Sequence, residues 1–297
     1  MPNITPLPAT PMPAIKLQQL VDETARLTLA DFAALPLAAD ELAVTLVDLR
    51  DTSRPGYASH RGNVPIYPAS VIKLFYLQAA HAWMEAGRLP DTAELRRAMH
   101  DMIVYSYNEA TSYIVDLLTG TTSGPELPPD ELARWHDRRN AVNRYFAALG
   151  YANINVNKKP WGEGPYGRET QAIAAFEPRR NWLTTDAAAR IHAGIATGRA
   201  VTPARSAEMM ALLQRDFSQP GDAHKQAHEF TAPGLPPDAQ LWSKAGYMST
   251  HRHDAAIIEL AGGRRFVLVT FTANHADETR IIPAVARRVV AGMMALH

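Results

Sequence analysis

Tyr67-Pro68-Ala69-Ser70-Val71-Ile72-Lys73-Leu74-Phe75 is the stretch around which the chain is organised. Beyond it, Ile72, Phe75, Leu77, Ala79, Ala80, Trp83 and Met84 recur at intervals of three and four, and Gly87 and Pro90 supply a stop. The spacing predicts a helix over 70–86 with one buried face, entered just after Pro68. One turn of about 3.6 residues would bring the Ser70 hydroxyl and the Lys73 amine onto the same face, as a candidate nucleophile and base. In the first turn, unpaired N–H groups and the positive end of the helix dipole favour a developing negative charge. A chain of ordinary composition and this length holds roughly one Ser-x-x-Lys by chance, so the motif does not decide function by itself.

The chain has 297 residues, 46% of them hydrophobic and 20% charged, enough to bury a substantial core. Its 30 basic and 30 acidic side chains cancel, which speaks against a nucleic-acid or membrane surface. The absence of cysteine removes disulfides, thiolate metal sites and cysteine nucleophiles together. Residues 1–15 read as a Pro-rich lead, with five prolines and no basic residue, unlike a secretory signal. No apolar run approaches the roughly 18 residues that a bilayer span needs. As it stands the chain reads as cytoplasmic, and as periplasmic or secreted if it is a trimmed mature form.

Working outward, 16–35 has the pattern of an amphipathic helix and 42–49 that of a strand, with turns and a further short strand over 51–66. Helices are expected over 94–105, from Asn108 to Leu118, over 131–149, from Thr184 to Gly198 and from Thr202 onward. Residues 151–180, rich in Asn, Gly and Pro, show no sustained period, and loops that long are usually functional or mobile. The last third reads as strands over 241–246, 254–260 and 266–273, with Gly262-Gly263 as a turn, and a closing helix over 276–296. This order gives an α+β protein: a single domain over 16–297 whose antiparallel sheet segments, 40–66 and 240–297, enclose a helical lobe over about 68–215.

Two further polar elements fall at comparable places. Ser106-Tyr107-Asn108 sits at a helix junction, where Ser106 or Asn108 can equally be a cap. Trp242-Ser243-Lys244-Ala245-Gly246 puts a Lys-x-Gly on a strand beside a hairpin. Taken together, Ser-x-x-Lys, Ser-x-Asn and Lys-x-Gly in this order make the chain resemble the penicillin-recognising serine hydrolases, above all the class A serine β-lactamases, over about residues 40–297. The fold that the resemblance implies is an antiparallel sheet flanked by helices plus an all-helical lobe.

By that resemblance, Ser70 is the acylated nucleophile, Lys73 a base or relay, and Ser106 the proton donor to the departing nitrogen. Asn108 orients Lys73 and the substrate amide, Lys244 attracts a substrate carboxylate, and Gly246 lets the strand come close to the ligand. The N–H groups of Ser70 and Tyr247 form the oxyanion hole. The implied reaction opens a β-lactam through an acyl-enzyme; the alternatives are a DD-peptidase- or esterase-like hydrolase and a catalytically silent penicillin-binding homologue. No cofactor or metal is expected, since the histidines 251 and 253 flank an arginine on a strand. The expected partner is a small-molecule substrate, with no nucleic acid or membrane, and the chain is expected to be a monomer.

Three features depart from the class A pattern. Tyr107 replaces the usual Asp, Ala245 removes a hydroxyl for which Ser249 and Thr250 are the candidate stand-ins, and the stretch between the first two motifs is short, implying an open site. The deacylating glutamate is assigned to Glu177, with Glu169, or neither of the two, as the alternatives. Glu177-Pro178-Arg179-Arg180-Asn181 carries the Glu-x-x-x-Asn pattern, whereas counting back from Thr184-Thr185 favours Glu169. Ser70→Ala is expected to abolish acylation and leave the protein folded; intact-protein mass after exposure to a penicillin checks this, and an adduct on the variant would sink the assignment.

Overall fold

The computed structural model describes residues 14–35, 37–218 and 225–296. The expected Pro-rich lead lies outside them as far as Pro13. In chain order the helices are α1 (Ile15–Asp31), α2 (Lys73–Glu85), α3 (Ala93–His100), α4 (Asn108–Thr119), α5 (Pro129–Arg139) and α6 (Ala141–Ala148). They continue as α7 (Arg168–Ala175), α8 (Thr185–Ala196), α9 (Pro203–Leu213), α10 (Lys225–His228) and α11 (Ile281–Ala295). The strands are β1 (Leu42–Asp48), β2 (Gly56–His60), β3 (Gln214–Arg215), β4 (Gln240–Met248), β5 (His251–Leu260) and β6 (Arg264–Ala273). They form one sheet in the order β2-β1-β6-β5-β4-β3, with every pair antiparallel.

Alternation along the strands decides which face each side chain takes. Val44, Leu46, Ala256, Ile258, Phe266 and Leu268 meet Leu17 and Val21 of α1 and Val285, Val289 and Met293 of α11. Their neighbours Ala43, Val47, Ala255, Ile257, Val267 and Val269 pack on the other side with Ile191 and Ile195 of α8. Both faces are therefore covered, and the architecture is α+β with the sheet between helices. Strands β1 and β2 come from the start of the chain and β4 to β6 from its finish, the two-residue β3 at the far edge follows α9, and the helices of the middle pack beyond α8.

The organising helix differs from its expected form. Every residue of α2 from Lys73 to Met84 is buried, so the apolar period marks a helix surrounded on all sides and not one with a single covered face. Ser70 lies outside it, in a 3₁₀ turn over Ala69–Ile72 that leads into α2. Phe75 packs its ring on Phe146 at 4.8 Å, and Phe146 meets Tyr151 edge-on at 5.1 Å, which ties α2 to α6 and the chain beyond.

Other expectations shift as well. The helix expected over 131–149 breaks at Asn140, whose carboxamide oxygen accepts from Asn143 at 2.9 Å and Asn157 at 2.8 Å. Within the stretch that shows no period, α7 buries only Glu169 and Ala172. The helix expected over 94–105 ends as α at His100 and continues as a π turn over Asp101–Tyr105. The closing helix starts at Ile281, after turns over 274–280. Phe146 is fully buried in the ring cluster; Phe146→Ala is expected to cost about 3–5 kcal/mol through lost contacts and an unfilled cavity, read as a lowered midpoint in urea denaturation.

Candidate active site

The turn that carries Ser70 is held from three sides. Ala69 has φ 46, a left-handed conformation costly for a residue with a side chain and concentrated at functional sites in general. His253, fully buried on β5, accepts the Thr272 N–H on Nδ1 at 3.1 Å, which leaves Nε2–H to donate to the Tyr67 carbonyl at 2.8 Å. Burial pushes its pKa down to about 3, so it stays neutral and the bond persists across ordinary pH. The third support is β4. A Cβ on Gly246 would stand 2.6 Å from the Pro68 carbonyl and 3.0 Å from the nitrogens of Ser70 and Val71, so only glycine allows this approach.

Lys73 begins α2, and its buried amine makes three bonds. It donates to the Ser106 carbonyl at 2.5 Å, to Ser106 Oγ at 3.1 Å and to Asn108 Oδ1 at 2.9 Å. Burial is the main cause that lowers its pKa to about 7, opposed by the charge of Glu109. The left-handed Ser106 (φ 61) ends the π turn and swings the chain into α4, which is how one hydroxyl, one carbonyl and one carboxamide all reach the same amine. Ser106 and Asn108 thus serve the lysine, and neither caps α4: its N-cap is Tyr107, without a side-chain cap bond.

Lys244 approaches the same hydroxyl from the sheet. Its amine, wholly buried, lies 3.0 Å from Ser106 Oγ, 2.6 Å from Gln226 Oε1 and 2.8 Å from the Ala245 carbonyl. Desolvation moves its pKa well below that of a free lysine; Lys73 and Arg215 push the same way and Asp254 opposes them. Ser106 Oγ therefore stands between two lysine amines of weakened basicity. A hydroxyl has one proton and two lone pairs, so it can hand a proton to one amine while accepting from the other.

The strand edge completes the site. Because β3 spans only two residues and pairs with Leu241 and Trp242, β4 has no strand partner on that side from Ser243 onward among the described residues. The Ala245 N–H points to that open edge, where it reaches Gln226 at 3.2 Å. Alternation then directs the Tyr247 N–H outward as well, toward a cleft of about 730 Å³ lined by Ser70, Ser106, Lys244 and Arg252. Ser249 and Thr250 are at the tip of the β4–β5 hairpin, where Thr250 bonds to His251 at 2.8 Å, and neither replaces the hydroxyl missing at Ala245. Sequence reading missed Gln226, and the available signal was slight: one glutamine on a four-residue helix.

The two glutamates separate by environment. Glu169, with its side chain 4% exposed, accepts from Arg139 at 2.7 Å and Ser123 at 2.8 Å, while Lys159 bonds Asp116 at 2.8 Å beside them. That buried network ties α7 to α4 and α5. Glu177, with its side chain 72% exposed, pairs with Arg179 at 2.8 Å and makes no bond to Lys73, whose three donors are committed elsewhere. Asn181 clasps the Lys158 backbone through both amide atoms, at 3.0 and 2.8 Å. Glu169→Gln is expected to lower stability by about 3–5 kcal/mol, because Arg139 loses its buried partner. Glu177→Gln should stay within about 0.5 kcal/mol, as exposed substitutions do; parallel urea titrations of the two variants check the contrast.

A model described as the beta-lactamase enzyme family matches residues 30–293. No curated protein matches the chain in sequence. Among solved structures, a beta-lactamase from Sphaerobacter thermophilus superposes with a TM-score of 0.68 at 18% identity, over 93% of this chain and 98% of the other. A PBP-A mutant, solved as an acyl-enzyme complex with penicillin G, gives 0.67 at 19% identity over 98% and 100%. A variant of the class A beta-lactamase of the last common ancestor of Gram-negative bacteria gives 0.61 at 17% identity over 95% and 99%. At such identities the structures speak for the fold, and the family match spans most of the sequence, including all three polar elements: the chain belongs to the beta-lactamase enzyme family.

Proposed function

We propose that the chain is a serine hydrolase of the class A type that opens a β-lactam amide through an acyl-enzyme on Ser70. The observation that carries this reading is the Ser106 hydroxyl held at 3.1 Å from Lys73 and 3.0 Å from Lys244 beside the cleft that Ser70 lines. Lys73 takes the proton of Ser70 as Oγ bonds to the carbonyl carbon. The Ser70 and Tyr247 N–H groups receive the negative oxygen, each such donor being worth about 10²–10³ in rate. As the carbon–nitrogen bond breaks, Ser106 gives its proton to the nitrogen and recovers one from Lys73. Asn108 holds the Lys73 amine and meets the substrate amide.

A substrate carboxylate would feel the Lys244 charge from the cleft without displacing the three bonds of that amine, with the Arg252 guanidinium lining the same cavity. Hydrolysis of the acyl-enzyme then falls to Glu177, the glutamate left exposed. The second reading, a DD-peptidase- or esterase-like hydrolase or a silent penicillin-binding homologue, draws support from that same residue. Glu177 is paired with Arg179 and has no bond to the lysine, an arrangement that favours slow release. A PBP-A mutant of this fold was solved as an acyl-enzyme complex with penicillin G, the stage at which the second reading has the chain pause.

Intact-protein mass followed over time with a simple penicillin, alongside absorbance of a chromogenic cephalosporin, separates the readings. The expected result is a transient adduct with steady hydrolysis, prolonged by Glu177→Gln. A long-lived adduct on the parent chain would favour the second reading, and no adduct would refute β-lactam chemistry at Ser70. The pH profile gives a further expectation. Below about 7 Lys73 carries its proton and has no lone pair to offer, and above it the amine is free. Acylation should climb up to about tenfold per pH unit on the acid side and level off past neutrality, as stopped-flow rates can show.

A further inference from the structure

Gln226 makes every hydrogen bond that a carboxamide can make. Its oxygen accepts from the Lys244 amine at 2.6 Å and the Ala245 N–H at 3.2 Å. Its nitrogen donates to the carbonyls of Ile103 at 3.1 Å and Val104 at 2.8 Å. The partners dictate the residue type: a carboxylate would face two carbonyls with no proton to give, and a hydrocarbon would satisfy none of the four. One side chain thus joins the π turn that delivers Ser106, the strand that carries Lys244 and the short helix α10. It stands where β4 lacks a hydroxyl, beside Ala245.

The geometry points to Gln226 as a positioning residue of the Ser70 site. Its amide fixes the Lys244 amine against the Ser106 hydroxyl and occupies the Ala245 N–H, leaving Tyr247 as the strand-edge donor open to an anionic substrate. The inference rests on the acyl-transfer reading of the site, yet its central test does not. A bond accepted from Lys244 favours the charged form of that lysine, and a charged Lys244 disfavours charge on Lys73 across Ser106. Lys244 is also faced by Arg215 from β3 and Asp254 from β5, and Lys73 by Glu109 from α4, while Lys225 of α10 and Arg252 of β5 line the adjoining cleft. None of these changes when only residue 226 is replaced.

The test follows Lys73 in the full chain by NMR with carbon-13 at the lysine ε position, titrated in the parent and two variants. Gln226→Met removes the acceptor at nearly constant volume; Lys244 then holds its proton less firmly, and the Lys73 midpoint should rise by about half a unit or more. Gln226→Glu gives up the two bonds to Ile103 and Val104 but, ionised against the Lys244 amine, keeps the acceptor and adds negative charge there, so the midpoint should fall by a similar amount. Opposite shifts support the inference. Shifts of the same sign, or none, in folded variants overturn it, because a merely structural bracket would disturb both alike. As a second readout, Gln226→Met should slow acylation by an anionic penicillin at neutral pH by about fivefold or more, and acylation by an uncharged ester much less. If the parent is not acylated by penicillin, the proposed function fails while the titration still judges Gln226.

Discussion

Everything around the site follows from the burial of one amine. Lys73 is the first residue of a helix that is covered on every side, and an amine cannot enter such a place without matching its donors. Its partners all come from Ser106 and Asn108, so the chain has to bring that short segment back against the foot of α2. The π turn over Asp101–Tyr105 and the left-handed Ser106 are the local departures from regular helix that achieve this. The same burial that demands partners also lowers the proton affinity of the amine. Structure and reactivity therefore share one cause, and loosening the 106–108 segment would disturb both.

The sheet supplies the opposing wall because it stops short. Had β3 continued along β4, the edge from Ser243 to Met248 would have been paired, and neither Gln226 nor a ligand would reach the strand. An unpaired edge is ordinarily a hazard for association. Here α10 and the cleft occupy it, and Gly246 brings the backbone to within contact of the Ser70 turn. Strand β5 adds His253 behind the nucleophile, so the reach from Tyr67 to Val71 is gripped by two adjacent strands.

What the sequence disclosed and what it withheld divide along physical lines. Alternation on β1 and β4 to β6 and the apolar recurrence of α2 are local, and they revealed the α+β order; Ser70, Lys73, Ser106, Asn108, Lys244 and Gly246 came from three short polar motifs and the family resemblance that those motifs carry. The full burial of α2 was not legible, because Lys73, Gln78 and His81 on its other side are polar residues that read as a solvated face, although Leu74 and Tyr76 lie among them. Asn140 gave no warning of a break, being neither Gly nor Pro; the bonds that favour it come from Asn143 and Asn157, the latter seventeen residues away. Glu169 and Glu177 could not be separated by spacing. Their difference lies in Arg139, Ser123 and Lys159, and no local pattern shows that these converge on one carboxylate and leave the other in solvent.

The two lysines flanking Ser106 also limit each other. Two ammonium groups about 3 Å from one oxygen, in a pocket with little water, cannot both be comfortable, so their protons are lost as a coupled pair. Burial disfavours charge on both lysines, while Asp254 favours it on Lys244 and Glu109 favours it on Lys73. On the proposed reading, an anionic substrate bound in the cleft that Lys244 lines favours charge on that lysine. Lys73 is then neutral, and its single lone pair is free for the Ser70 proton when the substrate carbonyl is present. The substrate charge would act on rate through the protonation of the pair as well as on binding, and a neutral substrate would forgo both.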